Sequence, residues 1–557
     1  MRRERIALAA TFVLGLPALG SGWFLDDWLY LDRLAEGGAA SELYRLTAAH
    51  GGPAAAIQHG AMPWWMDTAA KVELCRPLAG ILFAAEHTLF GAHVWAAHLC
   101  SVLWFMLLTW AVARLYRRLP SRVGLVALAI FVLDDAHWQG LGWLANRHAV
   151  VASAPAMLGL LAWLAHRERH ARWGLPLALL GFAIGLAGGE SALQVLAFVL
   201  AYELWGRRPR RVHALAPVVA LVLAYLVLYR ALGFGARGHQ QYLDPIGEPL
   251  RFGEAALVRA PTLLADLVAG MPADLWGAMP VLHPIYVVVG VIATAIVIAL
   301  VWRVWPRLDP RLACELRWLA LGSLGALLPA LAGLPGSRLL LVPGIGGAVV
   351  LAVLVVHLPA SLAGRLARGW IVLAHLVLAP LLLVMGLVNL HVIGRATERI
   401  VVDAEVPREH AAQADVVVLY APDLVALLYP PHMLGSSLAP RVHGWFTLSI
   451  APSAHVAVRT GPHSFTLRAL DGPFFASEWE RLFRAERAAL QIGDRVALDG
   501  VTIELIAADE LAITTPRALD DPALCLLAWH DGALRRVTLP PVGTPFAIAR
   551  SPGVLGL

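Results

Sequence analysis

The chain has 557 residues, of which 59% are hydrophobic and 15% are charged, and its mean hydropathy is +0.67. A soluble protein carries about 25% charged residues, so this composition excludes a soluble globular chain and indicates a multi-span membrane protein. The net charge of +5 comes almost wholly from arginines scattered beside apolar runs, which excludes a nucleic-acid-binding face. The four cysteines share no metal or disulfide spacing, so we expect free thiols.

Long apolar stretches follow one another from the N-terminus to about residue 392. A membrane span needs about 20 apolar residues, and this criterion predicts eleven spans. They are Ile6–Phe24, Ala92–Leu115, Val123–Leu133, Ala149–Ala165, Trp173–Ala187, Ser191–Trp205, Ala214–Leu232, Ile285–Val301, Trp318–Leu334, Leu339–Leu358 and Trp370–Val392. The first run is longer than the apolar core of a typical signal peptide and lacks a small-residue cleavage site, so we expect it to be a retained signal anchor.

The stretch from Trp173 to Trp205 can be one long helix or two short ones. Basic segments flank it on both sides, HRERHAR before it and WGRRPRRVH after it. Basic loops stay on the cytoplasmic side of a membrane, and only a hairpin places both segments there. We therefore predict two short helices with a turn at Gly188, Gly189 and Glu190.

Alternation of the eleven spans from a cytoplasmic N-terminus puts every strongly basic short loop in the cytoplasm. The same alternation puts the C-terminal part outside the cytoplasm and collects polar residues at the outer membrane edge. These residues are Asp26, Asp27, Asp134, Asp135, Arg147, His148, Glu190 and Arg338. Charges gathered on one side of a membrane domain indicate a functional site more than helix anchoring.

Composition divides the chain near residue 392. We expect residues 1–392 to form the membrane domain, with two long outer loops at residues 25–91 and 233–284. In residues 393–557, short runs such as DVVVLYAP, SFTLRAL and DRVALDGVTIELIAA predict strands and hairpins, and SEWERLFRAERAAL predicts an amphipathic helix. The expected fold class is a polytopic α-helical membrane protein with about 11 transmembrane helices and a C-terminal extracytoplasmic β-rich α+β domain.

Five motifs occur in a recognisable order over about residues 1–390. They are FLDDWLYL, CRPLAGILFAAEHTLFG with the span that follows it, HWQGLGWLANRHAVV, GLAGGESALQV and GSRLLLVPG. This order resembles the GT-C glycosyltransferases, and within them the protein O-mannosyltransferase-like group, which includes tetratricopeptide-bearing enzymes and bacterial relatives. The chain departs from the family pattern at Gly189 (lysine in the family), at Gln139 (glutamate), and at the leucines after Arg338 (tyrosines). The resemblance implies a GT-C-like membrane domain.

The resemblance also implies a reaction. A sugar, mannose or a similar hexose, moves from a polyprenyl-phosphate donor to a hydroxyl acceptor outside the cytoplasm. The family is thought to invert the anomeric carbon in one displacement, so one general base suffices. We expect Asp26 to be this base and Asp27 to be its partner, which raises the pKa of Asp26 or holds the acceptor. Two other interpretations stay open: the roles are reversed, or both aspartates cap the helix that follows the first span.

The leaving group is a lipid phosphate, which the planar guanidinium of arginine recognises well. Arg338, Arg147 and Arg76, in that order, are expected to bind it. The supporting residues are expected to be Glu190, His137, Asp134, Asp135 and Trp143. No cofactor or metal is expected, and a divalent cation at Asp26 with Asp134 or Asp135 is the alternative. The expected partners are the lipid-linked sugar, membrane lipids and an acceptor protein, lipid or glycan.

Two other functions are compatible with a membrane domain of this kind. One is a transporter or flippase of a lipid-linked sugar, and the other is a non-catalytic anchor that presents the outer domain. Transporters often show internal repeats and charges at mid-span, whereas this chain has no clear repeat and has its charges at one face. Low lysine with high alanine, arginine and glycine content indicates a GC-rich bacterial source, so we expect a multi-pass protein of the bacterial cytoplasmic membrane.

Overall fold

Two regions of different secondary structure make up the chain: helices predominate up to Val402 and strands after it. The computed structural model describes residues 2–207, 212–238, 241–407, 409, 411–484 and 488–554. The basic loop WGRRPRRVH and the stretch SEWERLFRAERAAL lie partly outside the described residues. The expected class, a multi-span helical protein with a C-terminal β-rich region, is confirmed.

The helical region contains eighteen α-helices within the described residues, and several begin with a proline in the first turn, where its missing N–H costs nothing. The helices are α1 (Arg2–Gly15), α2 (Asp26–Ala35), α3 (Pro53–Gln58), α4 (Pro77–Phe90), α5 (Val94–Tyr116), α6 (Ser121–Leu133), α7 (Trp138–Gly142), α8 (His148–Arg169), α9 (Gly174–Gly188), α10 (Ser191–Trp205), α11 (Ala216–Ala231), α12 (Pro249–Ala269), α13 (Asp274–Ala278), α14 (His283–Val304), α15 (Pro310–Ala330), α16 (Pro343–His357), α17 (Leu362–Val372) and α18 (Ala379–Val402). A π-helical stretch, Leu373–Leu378, makes α17 and α18 continuous.

Six helical segments of the described chain are long and apolar enough to cross a membrane. They are Val94–Tyr116, Ala145–Arg169, Val212–Ala231, Pro280–Arg307, Pro310–Ala330 and Leu362–Val402. Five shorter apolar helices accompany them: α4, α6, α9, α10 and α16. The chain is therefore a multi-pass membrane protein, and ten of the eleven predicted spans coincide with one of these helices.

The boundaries of several predicted spans differ from the structure, and two of the differences have a clear local cause. In the first span, α1 ends at Gly15 and a 3₁₀ turn, Leu16–Gly20, follows, because Pro17 cannot donate the backbone hydrogen bond that would continue the helix. The ninth span begins at Pro310 instead of Trp318, since Asp309 caps the helix by accepting a hydrogen bond from the N–H of Arg311.

The predicted hairpin between Trp173 and Trp205 is present. Helix α9 ends at Gly188, Gly189 adopts a φ of +151°, and α10 begins at Ser191. Residues other than glycine rarely adopt this φ, so Gly189 permits the sharp reversal of the chain between α9 and α10. The turn places Glu190 at the end of both helices.

The C-terminal region consists of ten strands and three short helices within the described residues. The strands are β3 (Asp415–Val418), β4 (Gly444–Thr447), β5 (His455–Gly461), β6 (Ser464–Ala469), β7 (Arg495–Ala497), β8 (Thr502–Ala507), β9 (Glu510–Thr514), β10 (Leu524–His530), β11 (Ala533–Arg536) and β12 (Pro545–Ile548). The helices are α19 (Leu424–Leu428), α20 (Pro430–Met433) and α21 (Glu478–Arg481). Two further strands, β1 (Lys71–Glu73) and β2 (Gly235–Arg237), pair antiparallel and join the two long loops of the helical region.

Two sheets form the C-terminal region. A six-stranded antiparallel sheet has the order β12-β5-β6-β9-β8-β7, and β7 and β8 form the hairpin predicted at Asp499-Gly500. A four-stranded sheet has the order β11-β10-β3-β4, in which β3 runs parallel to both β10 and β4. The sequence analysis predicted only antiparallel hairpins for this region. That prediction is wrong for β3, which pairs in parallel with both of its neighbours.

The helix expected in SEWERLFRAERAAL and the expected domain boundary at residue 392 can be compared with the helices of the structure. In the described part of SEWERLFRAERAAL, the helix is limited to α21, where Ser477 and Glu480 form a reciprocal capping box. The expected domain boundary at residue 392 falls inside α18, which continues to Val402. The strand-rich part therefore begins later than the change in composition.

The first long loop of the helical region packs into the C-terminal region. Trp64 and Trp65 are buried there and donate hydrogen bonds from Nε1 to the carbonyls of Leu448 (3.0 Å) and Glu480 (3.1 Å). A buried tryptophan needs a partner for its N–H, and both find one across this interface. The aromatic stretch AMPWWMDT thus joins the two regions.

Candidate functional site

A cavity of about 240 Å³ lies where the helical region meets the C-terminal region. Helix α2 and the residue before α4 line one part of it, and the segments at the starts of α8 and α16 line another. The connection between α19 and α20, the start of α10, the two long loops and the segment around α21 also contribute to the lining. The polar side chains that matter most for its chemistry are Asp26, Arg76, His148, Arg338, Tyr429 and His432.

Asp26 is the first residue of α2 and is half-buried in the cavity wall. The hydroxyl of Tyr429 donates a 2.8 Å hydrogen bond to Asp26 Oδ1. Burial raises the pKa of Asp26, while this hydrogen bond and the positive charges of Arg338 and Arg76 act in the opposite direction. Among the described residues no protein donor reaches Oδ2, so this oxygen can accept a proton or a hydrogen bond.

Asp27 has different surroundings from its neighbour. It is fully buried, and its two oxygens accept hydrogen bonds from the backbone N–H groups of Phe24 (2.9 Å) and Ala145 (2.7 Å). Burial raises its pKa to about 8, against the effect of these two hydrogen bonds. The residue before the pair, Leu25, has a φ of +43°, a strained value for a side chain of its size. Asp27 therefore anchors a strained turn and is absent from the cavity lining.

Arg338 lines the cavity and is held by a neutral partner. Its Nη1 donates a 3.1 Å hydrogen bond to Oε1 of Gln139. Asp274 fixes that amide by accepting from Gln139 Nε2 (3.2 Å), and it also accepts from Trp138 Nε1 (2.9 Å) and from the N–H of Ser337 (3.1 Å). In the described chain Arg338 forms no direct ion pair, so its charge is available to an anion.

Arg76 lines the cavity but already has an anionic partner. Its Nε donates to Glu190 Oε2 at 2.8 Å, and its guanidinium lies 5.2 Å from the ring centroid of Tyr44. The Tyr44 hydroxyl in turn donates to the carbonyl of Ala145 at 2.8 Å. The ion pair and the ring fix the position of Arg76, and Glu190 contributes to the site through this arginine.

Arg147 lies outside the cavity lining. It is 2% exposed, and its Nη2 is 2.7 Å from Glu86 Oε2 in α4. Its Nη1 donates to the carbonyl of Ala97 (3.0 Å) and to Ser101 Oγ (3.4 Å) in α5. Arg147 therefore joins the start of α8 to two other helices.

His137, Asp134 and Asp135 are also outside the lining. His137 packs against Phe105 and Phe131 and contacts the carbonyl of Phe131 through Nε2 at 2.5 Å. Asp134 caps the following turn by accepting from the N–H of Ala136. Asp135 is buried, and burial together with nearby carboxylates raises its pKa.

Neither Asp134 nor Asp135, the partners of Asp26 in the alternative metal site, lines the cavity. In the part of the chain that the structure describes, no group of three His, Cys, Asp or Glu side chains has the arrangement to hold a metal ion.

The cavity brings together four of the ten expected site residues: Asp26, Arg76, Arg338 and Trp143. Tyr429 and His432 were missed, and so was Asp274, which holds Gln139. Tyr429 and His432 belong to the stretch YPPHM, in which two polar rings flank a Pro-Pro pair. Two prolines that restrict the backbone between a tyrosine and a histidine could have marked this stretch as a candidate for a site. Nothing in the sequence, however, places the stretch beside Asp26.

No family model and no curated protein matches the chain. Among solved structures, the chain is similar to ArnT from Cupriavidus metallidurans bound to undecaprenyl phosphate, with 13% identity and a TM-score of 0.41 over 80% of this chain and 86% of that one. It is also similar to the arabinofuranosyltransferase AftD from Mycobacteria, with 16% identity and a TM-score of 0.35 over 93% of this chain and 40% of that one. At these values the reaction of this chain has to be argued from its own residues.

Proposed function

We propose that the chain is a membrane glycosyltransferase of the GT-C type, which transfers a sugar from a polyprenyl-phosphate donor to a hydroxyl acceptor. The observation that carries the proposal is the cavity lined by the carboxylate of Asp26 and the guanidinium groups of Arg338 and Arg76. A group that accepts a proton and groups that receive a departing phosphate are what this transfer requires. The motif order in residues 1–390 supports the substrate class.

Asp26 is the proposed general base. The acceptor oxygen attacks the anomeric carbon of the sugar, the bond from that carbon to the phosphate oxygen breaks, and the hydroxyl proton passes to Asp26 Oδ2. A hydroxyl is a weak nucleophile at neutral pH, and a positioned base accelerates such a step by about 10²–10⁴-fold. Because the acceptor oxygen attacks from the side opposite the leaving phosphate, the configuration at the anomeric carbon is inverted.

The leaving phosphate takes the electron pair of the broken bond, and Arg338 is its proposed first partner. The neutral amide of Gln139 orients this guanidinium without cancelling its charge. Arg76 is the proposed second partner, weakened by its ion pair with Glu190. Guanidinium groups bind phosphate in a planar, two-bond geometry, which suits a fixed leaving-group site.

We propose that the cavity lies on the extracytoplasmic side of a bacterial cytoplasmic membrane, with the N-terminus in the cytoplasm. The loop-charge pattern of the sequence supports this orientation, since alternation of the spans puts the basic loops on the side away from Asp26. Mannose or a similar hexose is the proposed sugar. Because the C-terminal region lines part of the cavity, we propose that it helps to bind the acceptor.

The test is transfer of labelled sugar from polyprenyl-phosphate donors by the purified full chain in lipid nanodiscs. Asp26→Asn should reduce transfer by at least about 100-fold, because an amide cannot accept the proton. Glu36→Gln, a change to the exposed carboxylate that directly follows α2, is the matched control for the helix. Transfer at the wild-type rate in the Asp26→Asn variant would overturn the base assignment, and translocation of the donor lipid without transfer would favour a flippase.

A further inference from the structure

Among the described residues of the C-terminal region, Tyr429 is the one that hydrogen-bonds to the Asp26 side chain. Tyr429 lies between α19 and α20 and is 6% exposed, and its hydroxyl donates to Asp26 Oδ1 at 2.8 Å. The two residues are 403 positions apart in the chain. A hydrogen bond from a hydroxyl to a carboxylate is charge-assisted and about twice as strong as a neutral one.

We infer that Tyr429 is a positioning residue for Asp26: it holds Oδ1, so that Oδ2 is the oxygen that takes the proton from the acceptor hydroxyl. This inference rests on the proposed function and extends it to the C-terminal region. A carboxylate at the first position of a helix can rotate about its Cα–Cβ and Cβ–Cγ bonds, and a fixed donor on one oxygen limits that rotation. The acceptor then meets one oxygen in one orientation.

The backbone and its neighbours fix Tyr429. Pro430 and Pro431 follow it directly and restrict the backbone. His432, one turn further, has Nδ1 2.9 Å from Asp32 Oδ2 and Nε2 3.2 Å from the carbonyl of Ala61. Asp32 lies on α2 like Asp26, so the same segment contacts this helix at two points.

The charge balance at Asp26 depends on groups from several elements. The titratable and charged groups that face it are Asp27, Tyr30, Tyr44, Arg76, Arg338, Tyr429 and His432. Of these, Tyr429 donates a hydrogen bond directly to the carboxylate, and this bond stabilises the ionised form. Loss of the hydroxyl therefore raises the pKa of Asp26, and a larger fraction of the base is protonated at a given pH.

The first test compares Tyr429→Phe with wild type in the transfer assay over a range of pH. We expect the acid limb of the kcat profile to move to higher pH by about one unit and kcat to fall about tenfold, with little change in KM for the donor. Tyr420→Phe removes the hydroxyl of another buried tyrosine of the C-terminal region and should leave the profile in place. A Tyr429→Phe variant with an unmoved pH profile would overturn the inference, even if its rate is lower.

A second measurement separates this inference from the proposed function. Infrared difference spectra between high and low pH report the carboxyl band of Asp26, which is identified by its loss in Asp26→Asn. In Tyr429→Phe the midpoint of this band should move to higher pH, whether or not the preparation transfers sugar. An unchanged midpoint excludes Tyr429 as the partner that stabilises ionised Asp26, whereas a moved midpoint with no transfer by the wild type refutes only the glycosyltransferase assignment.

Discussion

The carboxylate of Asp27 accepts a 2.7 Å hydrogen bond from the backbone N–H of Ala145, 118 positions later in the chain. This bond ties the start of α2, which carries Asp26, to the segment that carries Trp143 and precedes α8. Two adjacent aspartates thus have different surroundings. Backbone donors occupy both oxygens of Asp27, while Asp26 lines a cavity with arginines.

Asp27→Ala should destabilise the protein more than Asp26→Ala does. Its removal leaves two backbone N–H groups of the turn without an acceptor, at a cost of about 1–3 kcal/mol for each group that stays dry. Thermal unfolding in detergent, followed by tryptophan fluorescence, measures the difference. An Asp27→Ala variant that unfolds at the wild-type temperature would show that the anchor is dispensable.

Transfer should weaken at acidic pH with a midpoint above the ordinary aspartate value of 3.8. Burial raises the pKa of Asp26, and only the ionised carboxylate can accept a proton, so the rate falls as the pH drops through this raised pKa. The measurement is kcat against pH, with circular dichroism at each pH as a check that the fold persists. A rate that stays constant down to pH 4 contradicts the assignment.

Arg338→Lys and Arg147→Lys should affect different properties of the protein, the first donor binding and the second stability. Lysine at 338 keeps the charge but loses the planar donors, so KM for the donor should rise about tenfold while the unfolding temperature stays close to that of wild type. Lysine at 147 cannot reproduce the contacts of Arg147 with Glu86, Ala97 and Ser101, so the unfolding temperature should fall. The opposite pattern would place Arg147, and not Arg338, at the donor phosphate.

Local sequence patterns predicted most of the helices and turns. The length of an apolar run and the position of a glycine determine the structure of the residues next to them. The hairpin at Gly189 is an example, since flanking charges and one glycine decide it. The partner of Arg147 could not be predicted in this way. Whether that arginine faces a cavity or Glu86 depends on how α4 packs against α8, which no local pattern records.

The same limit applies to Tyr429, which the sequence analysis placed in the C-terminal domain and did not include among the expected site residues. Its contact with Asp26 exists because the C-terminal region packs onto the first long loop. The parallel pairing of β3 with β10 is also non-local, since more than 100 residues separate the two strands. Sequence alone thus predicted Asp26 and two arginines that line the same cavity, and packing determined what surrounds them.

Glu315→Gln should destabilise the end of the helical region that lies opposite the cavity. Glu315 is fully buried and accepts hydrogen bonds from Arg118 (2.9 Å) and Trp318 (2.8 Å), with Arg207 at 2.6 Å. Glutamine at 315 removes the charge that Arg207 pairs with and one of the two carboxylates that Arg118 contacts, and because Arg118 keeps Glu168 the cost should be about 3 kcal/mol, the lower end for breaking a buried ion pair. We expect a clearly lower unfolding temperature in detergent.

Glu168→Gln is the matched control, because Glu168 also pairs with Arg118 but its side chain is 23% exposed. Water can replace the lost contact there, so the loss should be about 1 kcal/mol or less. Equal effects of the two substitutions would mean that burial does not decide the strength of this network.

Gly60→Ala should loosen the contact between the first long loop and the C-terminal region. Gly60 has a φ of +76°, and a Cβ at this position would lie 1.8 Å from the carbonyl oxygen of Trp445, so either the loop or β4 has to move. Gly52 has a φ of +103° with no atom within 4 Å of a Cβ, so Gly52→Ala carries the backbone strain without the clash. Limited proteolysis between the two regions and the sugar-transfer rate should both change in Gly60→Ala beyond the effect of Gly52→Ala, because Tyr429 would no longer reach Asp26. Equal behaviour of the two variants would show that the interface adapts to the added methyl group.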